Sequence, residues 1–376
     1  TIEISGAIKW FDAGKGFLIR VPNNHPALTP TAFAGQFVGV PHNGDYSVTM
    51  QDAVAGERFN LVGNPYPSPI NALSFIEDAN NSGSITGTLY FWRKTNGSAN
   101  PSYCTWTSGG FVTNNDDQTF DLNDVIQTGQ AFFVEATGTN NQLLFTNAMR
   151  ADNNANQFFR NAQTTTSVER NRVWLNATNG AGAFSQTMIG YMTNASNGLD
   201  AQIDGKYIND GEIALTSLLD AAPMAIQGRA LPFDAADVVP MRFKATTAGT
   251  YTIAIDHADG IFANDQTVFL RDNVLGVTHN LNDGAYTFAV EAGTFDSRFE
   301  VVYQATLGTD TPTLTQNQVV VYAADASSVT VATGTIVMNS IKVFDIRGRL
   351  LTESNAINAS QATLALPATN QVVLLQ

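Results

Sequence analysis

The chain has 376 residues, of which 44% are hydrophobic and only 14% charged, with a formal net charge of −14. The hydrophobic fraction supplies real cores and excludes disorder, and the length accommodates roughly two or three domains. The acidic balance repels phosphate backbones and anionic membranes, which excludes nucleic acid as a partner and leaves divalent cations attracted.

One cysteine, Cys104, rules out an internal disulfide, and one Cys among four His offers no metal-ligand spacing. A small buried side chain is its expected role. No apolar run approaches the ~18–20 residues of a membrane span, so the chain is not expected to span a membrane by helices.

Helical periodicity is nearly absent, and the best candidates are 69–78 and 211–219. Elsewhere short apolar or alternating runs are separated by Gly, Asn, Asp and Pro, the signature of strands joined by turns. Strands are expected at 7–11, 16–21 and 35–40, and again from Tyr46 to Met50. Residues 14–20 match 129–135 in pattern, which predicts that 1–50 is the C-terminal part of a truncated β unit and that the native chain extends beyond Thr1.

A β domain over 51–160 follows, with strands around Phe59-Asn60-Leu61-Val62, Leu89-Tyr90-Phe91-Trp92 and Phe132-Phe133-Val134. A polar linker at 151–168 carries Phe158-Phe159. The span 161–305 holds about eight short strands, which suggests a β-sandwich, jelly-roll-like. In it, Gly249-Thr250-Tyr251-Thr252-Ile253-Ala254-Ile255 alternates with period two and so has one buried face. A Thr-rich linker then leads to a last β domain, 306–376. The expected fold class is all-β: tandem β-sandwich (jelly-roll/Ig-like) domains with a small C-terminal Ig-like domain.

The centre of that last domain is 341–350, which reads as strand, tight turn and second strand. Asp345 can bond its own backbone and Gly348 can take positive φ, so the pair suits a turn. Val343-Phe344-Asp345-Ile346-Arg347-Gly348-Arg349-Leu350, followed by Ile357-Asn358-Ala359-Ser360, Leu364-Ala365-Leu366 and Val372-Val373-Leu374-Leu375, resembles the type A C-terminal sorting domain of Bacteroidota type IX secretion cargo. Upstream, Phe59-Asn60-Leu61-Val62-Gly63-Asn64-Pro65-Tyr66-Pro67 and Glu169-Arg170-Asn171-Arg172-Val173-Trp174-Leu175-Asn176, with Gln227-Gly228-Arg229-Ala230-Leu231-Pro232-Phe233 and Arg298-Phe299, resemble flavobacterial surface proteins of the same route, some of them linked to gliding motility and adhesion.

The resemblance implies a secreted or cell-surface protein, adhesive or structural, carried through the periplasm and across the outer membrane. Its secretion signal would be Val343, Phe344, Asp345, Arg347, Gly348, Arg349 and Leu350. The partners implied are the outer-membrane translocon and its shuttle barrel protein. Type A tails usually continue into a further strand beyond the one matching 371–375, whereas this chain stops at Gln376. Slow folding of all-β domains and the Asn-Pro-Tyr-Pro-Ser-Pro run at 64–69 add a periplasmic chaperone or prolyl isomerase to the expected partners.

No nucleophile elbow, His-Glu-x-x-His or phosphate loop is present, and His25, His42, His257 and His279 have no motif partners, so no enzyme and no catalytic residue is expected. Asp256, Asp259 and Asp265 could supply oxygen ligands to calcium, as could Asp204 with Asp210 and Glu212, although turn-forming Asp beside Gly is the commoner use. Trp10, Trp92, Trp106 and Trp174, with Tyr66 and Tyr90, would stack on sugars if exposed, and Trp106 has the least regular surroundings. A carbohydrate-binding module or a glycan-active β-sandwich enzyme is therefore the alternative to an adhesive or structural protein. Arg150 and Arg229 are expected to make structural ion pairs or carbonyl contacts.

Overall fold

The computed structural model describes residues 12–18, 23–24, 26, 31, 39–51, 58–93, 102–114, 124–138, 140–151, 168–304, 319–325, 327–334, 337–366 and 373–376. The expected strands at 7–11 and most of those at 16–21 and 35–40, residues 152–167 of the first linker, the Thr-rich linker, Trp10, His25 and Phe158-Phe159 lie outside the described residues. The fold is all-β, and two compact units divide at Thr306 and Leu307. The division expected at 305/306 falls within one residue of that boundary, while those at 50/51 and 160/161 fall inside the first unit.

The first unit has two lobes. Its first lobe runs through β1 (Tyr46–Thr49), β2 (Phe59–Gly63), β3 (Ile70–Asn71), α1 (Ala72–Glu77), β4 (Ile85–Arg93), β5 (Ser102–Thr107), β6 (Gly110–Val112), β7 (Val125–Ile126), β8 (Ala131–Ala136) and β9 (Gln142–Phe145). The main sheet has the order β2-β8-β4-β5-β6, and β1-β9 and β3-β7 are small pairs. Period-two alternation sets its two faces. Phe132 and Val134 of β8, Leu89 and Phe91 of β4, and Cys104 and Trp106 of β5 turn into one core with Phe75, Ile76 and Phe145.

Helix α1 lies within the expected 69–78 and is short. Asn71 caps it by accepting from the Ser74 amide, and Ala72, Phe75 and Ile76 are its buried face. Residues 14–16 and 44–50 are built into this lobe. Val48 pairs with Leu143, and Lys15 bridges Val62 on the edge of β2 opposite Phe132. Residues 14–16, at the start of the segment that matches 129–135 in sequence, thus lie on the other side of the strand that β8 flanks.

The second lobe comprises β10 (Arg170–Asn179), β11 (Phe184–Met192), β12 (Gly205–Lys206), β13 (Ile213–Leu219), β14 (Ala222–Arg229), β15 (Val238–Ala245), β16 (Gly249–Ala258), β17 (Phe269–Asp272), β18 (Val277–Asn280), β19 (Tyr286–Val290) and β20 (Gly293–Val302). They form one eleven-stranded sheet of order β18-β17-β20-β15-β13-β14-β11-β10-β16-β19, with β12 beside β14. The sheet curls until strands far apart in that order share one core. Phe243 of β15 packs on Phe288 of β19 at 5.0 Å, and Phe288 on Phe299 of β20 at 4.7 Å.

A buried polar staple joins the two ends of the sheet. Asp272 of β17 accepts from Arg298 of β20 at 2.8 Å and from the Tyr286 hydroxyl of β19 at 3.0 Å, and Arg298 Nη1 donates to the Ala289 carbonyl. The segment 211–219, a helix candidate by sequence, is instead strand β13. It pairs with β14 and β15 and is buried on both faces, a tertiary environment that overrides a weak local preference.

The lobes are locked together by the segment 200–209 of the second. Gln202 donates its amide to the Thr86 carbonyl, the Ser108 amide bonds the Gln202 carbonyl, and the Thr107 hydroxyl bonds the Ile203 carbonyl. A bulge at Gly87, with φ of +84°, opens β4 for Gln202. Trp174 donates its indole N–H to the Phe111 carbonyl at 2.7 Å and packs with Val112, Met188 and Ile226 in an apolar core shared by both lobes.

The second unit holds β21 (Val320–Asp325), β22 (Ser328–Ala332), β23 (Met338–Asp345), β24 (Leu350–Ala359), β25 (Gln361–Ala365) and β26 (Val373–Leu375). Two three-stranded sheets, β21-β22-β25 and β24-β23-β26, share a core of Val329, Val331, Ile341, Val343 and Leu364. Among the described residues of the chain no helix is long and apolar enough to cross a membrane.

Candidate functional site

The turn between β23 and β24 is built by one side chain. The buried Asp345 carboxylate accepts from the amides of Arg347 at 2.9 Å and Arg349 at 3.0 Å, and from Arg349 Nε at 3.1 Å. These bonds, the Arg349 amide foremost, hold its carboxyl below the usual carboxylate range. Gly348 takes φ of +80° with open space around it, and its amide donates to the Asp345 carbonyl.

This geometry divides the seven residues expected to form a signal by role. Val343 is fully buried in the core and Asp345 is buried under the turn, so both are structural. Phe344 is half-buried, while Arg347, Gly348, Arg349 and Leu350 are exposed. Ile346, which the signal set omitted, is the most exposed apolar side chain of the tip at 72%. Two guanidinium groups and two aliphatic side chains thus project from a rigid four-residue turn of an otherwise acidic protein.

The acidic candidates for calcium are spent elsewhere. A bulge in β16 opposite Trp174 and Leu175 brings Asp256 and His257 to the same exposed side. Asp256 accepts from Asn176 at 2.9 Å and contacts His257 at 2.6 Å, while His257 stacks on Trp174 at 4.0 Å. Asp259 forms an ion pair with Arg172 at 2.5 Å and also takes the Arg172 amide. Asp265 is exposed beyond a short 3-10 turn. Among the described residues no group of three or more His, Cys, Asp or Glu side chains could hold a metal ion, so the structure does not gather Asp256, Asp259 and Asp265 into a calcium site.

Asp204 is not solvent-facing either. It is buried, and accepts the amides of Gly228 and Asp200, each at 2.6 Å. Burial pushes its carboxyl up to about 6 against the pull of those amides. Its role is to fix the segment that locks the lobes. The spacing Asp200-x-x-x-Asp204-Gly205 closes a tight loop, and the chain uses it as a latch.

The aromatic residues are also redistributed. Trp106, the best candidate for exposure by its irregular surroundings, is 2% exposed, and Trp174, Tyr66 and Tyr90 are buried too. Among the described residues the exposed tryptophan is Trp92, at 47%. Cys104 is buried, and its thiol donates to Asn114 Oδ1. Arg229 pairs with Asp237, and Arg150 bonds Ser68 and lies over Tyr66. A cleft lined by Thr105, Asn114, Gln186, Tyr207 and Asn209 opens between the lobes, with room for about one water.

A family model described as "Domain of unknown function (DUF8693)" matches residues 3–303, and a second, "Domain of unknown function (DUF8694)", matches 307–376. No curated protein and no solved structure gives a significant match. Since the first match spans both lobes and most of the sequence, the chain belongs to the DUF8693 family, followed by a DUF8694 segment.

Proposed function

We propose that this chain is an exported structural or adhesive protein destined for the cell surface or the medium, and that 307–376 is its export address. One observation carries the reading. The C-terminal unit is compact in its own right, and its most conspicuous built feature is the tip that Asp345 rigidifies.

A receptor that reads a folded cargo needs side chains presented in fixed geometry. Ile346, Arg347, Arg349 and Leu350 meet that need, because the buried Asp345 carboxylate holds the loop closed through two backbone amides and Arg349 Nε. The reading involves no catalytic step. The receptor would be the outer-membrane translocon of the type IX route with its shuttle barrel.

The test is delivery in a bacterium that carries this route. Removing 307–376 should leave the protein in the periplasm. Replacing Arg347 by Glu and Leu350 by Ser should reduce surface delivery severely without unfolding the unit, since both side chains are exposed and the bonds Asp345 accepts from the Arg347 and Arg349 amides are kept. Normal surface delivery of the tail-deleted protein would refute the address.

A further inference from the structure

The main sheet of the first lobe has a second face, opposite its core. Alternation places Phe59 of β2, Phe133 and Glu135 of β8, Tyr90 and Trp92 of β4, and Tyr103 of β5 there. One end of this face is covered by the latch segment, where the Thr88 hydroxyl bonds the Asp204 carbonyl and Gly205 packs against Thr88, Thr105 and Thr107. The other end is open, with Trp92 47% exposed, while Phe59, 39% exposed, lies on the edge strand β2 beside the covered end.

The open end is a connected set of rings. Trp92 meets Tyr103 edge-on at 5.0 Å, and Tyr103 meets Phe133 at 5.5 Å. Polar groups border it. Lys206 and Glu135 pair at 2.8 Å beside Phe59, and Asn209 holds the Tyr103 backbone through both its amide and its carbonyl. Burial, then the nearby Asp210, raises the Tyr103 phenol, which therefore stays a neutral hydroxyl able to donate and accept.

We propose that the Trp92–Tyr103–Phe133 face is a binding platform for neutral oligosaccharide chains. Flat rings presented at a fixed angle complement the C–H faces of pyranose rings, and the bordering carboxylates, ammonium and phenol complement their hydroxyls. Other occupants fit less well. A stable dimer buries about 800 Å² per partner, whereas two partly exposed aromatic side chains offer on the order of 200 Å². Anionic polymers meet a chain of net charge −14. The inference does not rest on the export reading.

The experiment is affinity electrophoresis of the full chain in gels containing xyloglucan, glucomannan, laminarin, galactan or yeast mannan, with alginate as the anionic control. The expected result is retardation by at least one neutral polysaccharide and none by alginate. Trp92→Ala should weaken it about tenfold or more, and Trp92→Phe, which keeps a ring in place, should retain part of it. The control Val277→Ala, at an exposed position of the second lobe, should change nothing. A fold-independent readout accompanies these: in the unmodified chain, the retarding polysaccharide should shield the tryptophan emission that Trp92→Phe removes from acrylamide quenching. No retardation by any neutral polysaccharide, retardation by alginate alone, unchanged retardation in Trp92→Ala, or a dimer in sedimentation that Trp92→Ala dissociates would each overturn the proposal.

Discussion

Arg298→Met tests whether the buried staple closes the eleven-stranded sheet. Asp272 is fully buried and Arg298 nearly so. The substitution keeps an unbranched apolar side chain against Phe288 and Phe299, whose rings the guanidinium covers at 5.1 and 4.9 Å. What it removes is the only cation beside the carboxylate among the described residues. Breaking a buried pair by deleting one partner costs about 3–5 kcal/mol. Asp272 would keep three donors, the Tyr286 hydroxyl and the amides of Val274 and Leu275, which places the loss near the lower end, about 3 kcal/mol.

The double variant Asp272→Asn with Arg298→Met buries no charge. Its amide oxygen can still accept the Val274 and Leu275 amides, and its amino group can donate to the Tyr286 oxygen. It should lie within about 1–2 kcal/mol of the unmodified chain. Urea unfolding followed by tryptophan emission measures both.

The pH dependence adds a sign. Burial works to raise the Asp272 carboxyl, but Arg298, the Leu275 amide and Tyr286 outweigh it and hold it low. Its contribution is therefore complete above the ordinary carboxylate pKa of about 4 and is lost as pH falls through the lower folded value. In Arg298→Met burial dominates and the sign reverses, so that variant should gain stability on acidification from pH 7 toward 4. A loss below about 1 kcal/mol in the single variant, or a double variant no more stable than the single, would show that the staple does not close the sheet.

Asp204 titrates the other way. Its carboxyl is raised to about 6, so its contribution is complete below about pH 4 and is lost as pH rises through 6. Asp204→Asn should therefore gain on the unmodified chain by up to about 3 kcal/mol between pH 4 and 7, and a difference that stays flat over that range would contradict the buried latch. Gly87→Ala should cost about 2–4 kcal/mol and speed hydrogen exchange at the Gln202 amide. Its φ is +84° and a Cβ there would lie 2.8 Å from the Gln202 Cα, which belongs to backbone and cannot swing away. A melting temperature within about 1 °C of the unmodified chain would show that the lobes do not depend on this approach.

Much of the architecture was legible in the amino-acid order. Short alternating runs between Gly, Asn and Asp specify strands because a side-chain period of two suits a half-buried sheet, and β8 and β16 follow it. The Asp345–Gly348 turn was legible for a similar reason: its bonds span no more than four residues, so local chemistry suffices. The burial of Cys104 and the ion pair of Arg229 also followed from residue type, since small thiols are usually buried and an Arg in a neutral strand needs a partner.

Other features depend on which strands become neighbours, and sequence order carries little of that. The segment 211–219 is a strand because β14 and β15 hydrogen-bond it on both sides. Trp106 is buried and Trp92 exposed, though they belong to adjacent strands, because the core covers one face of that sheet and the second lobe covers only part of the other. Asp256 and Asp259, which sequence grouped with Asp265, and Asp204, grouped with Asp210 and Glu212, went to a bulge network, an ion pair and a buried latch through partners between 24 and 87 residues away. The sequence by itself determined the β class and the local turn that presents the C-terminal tip. Tertiary structure decided which acids are spent, which rings meet water and how the sheet ends join, because each of those outcomes is set by contacts that no local window contains.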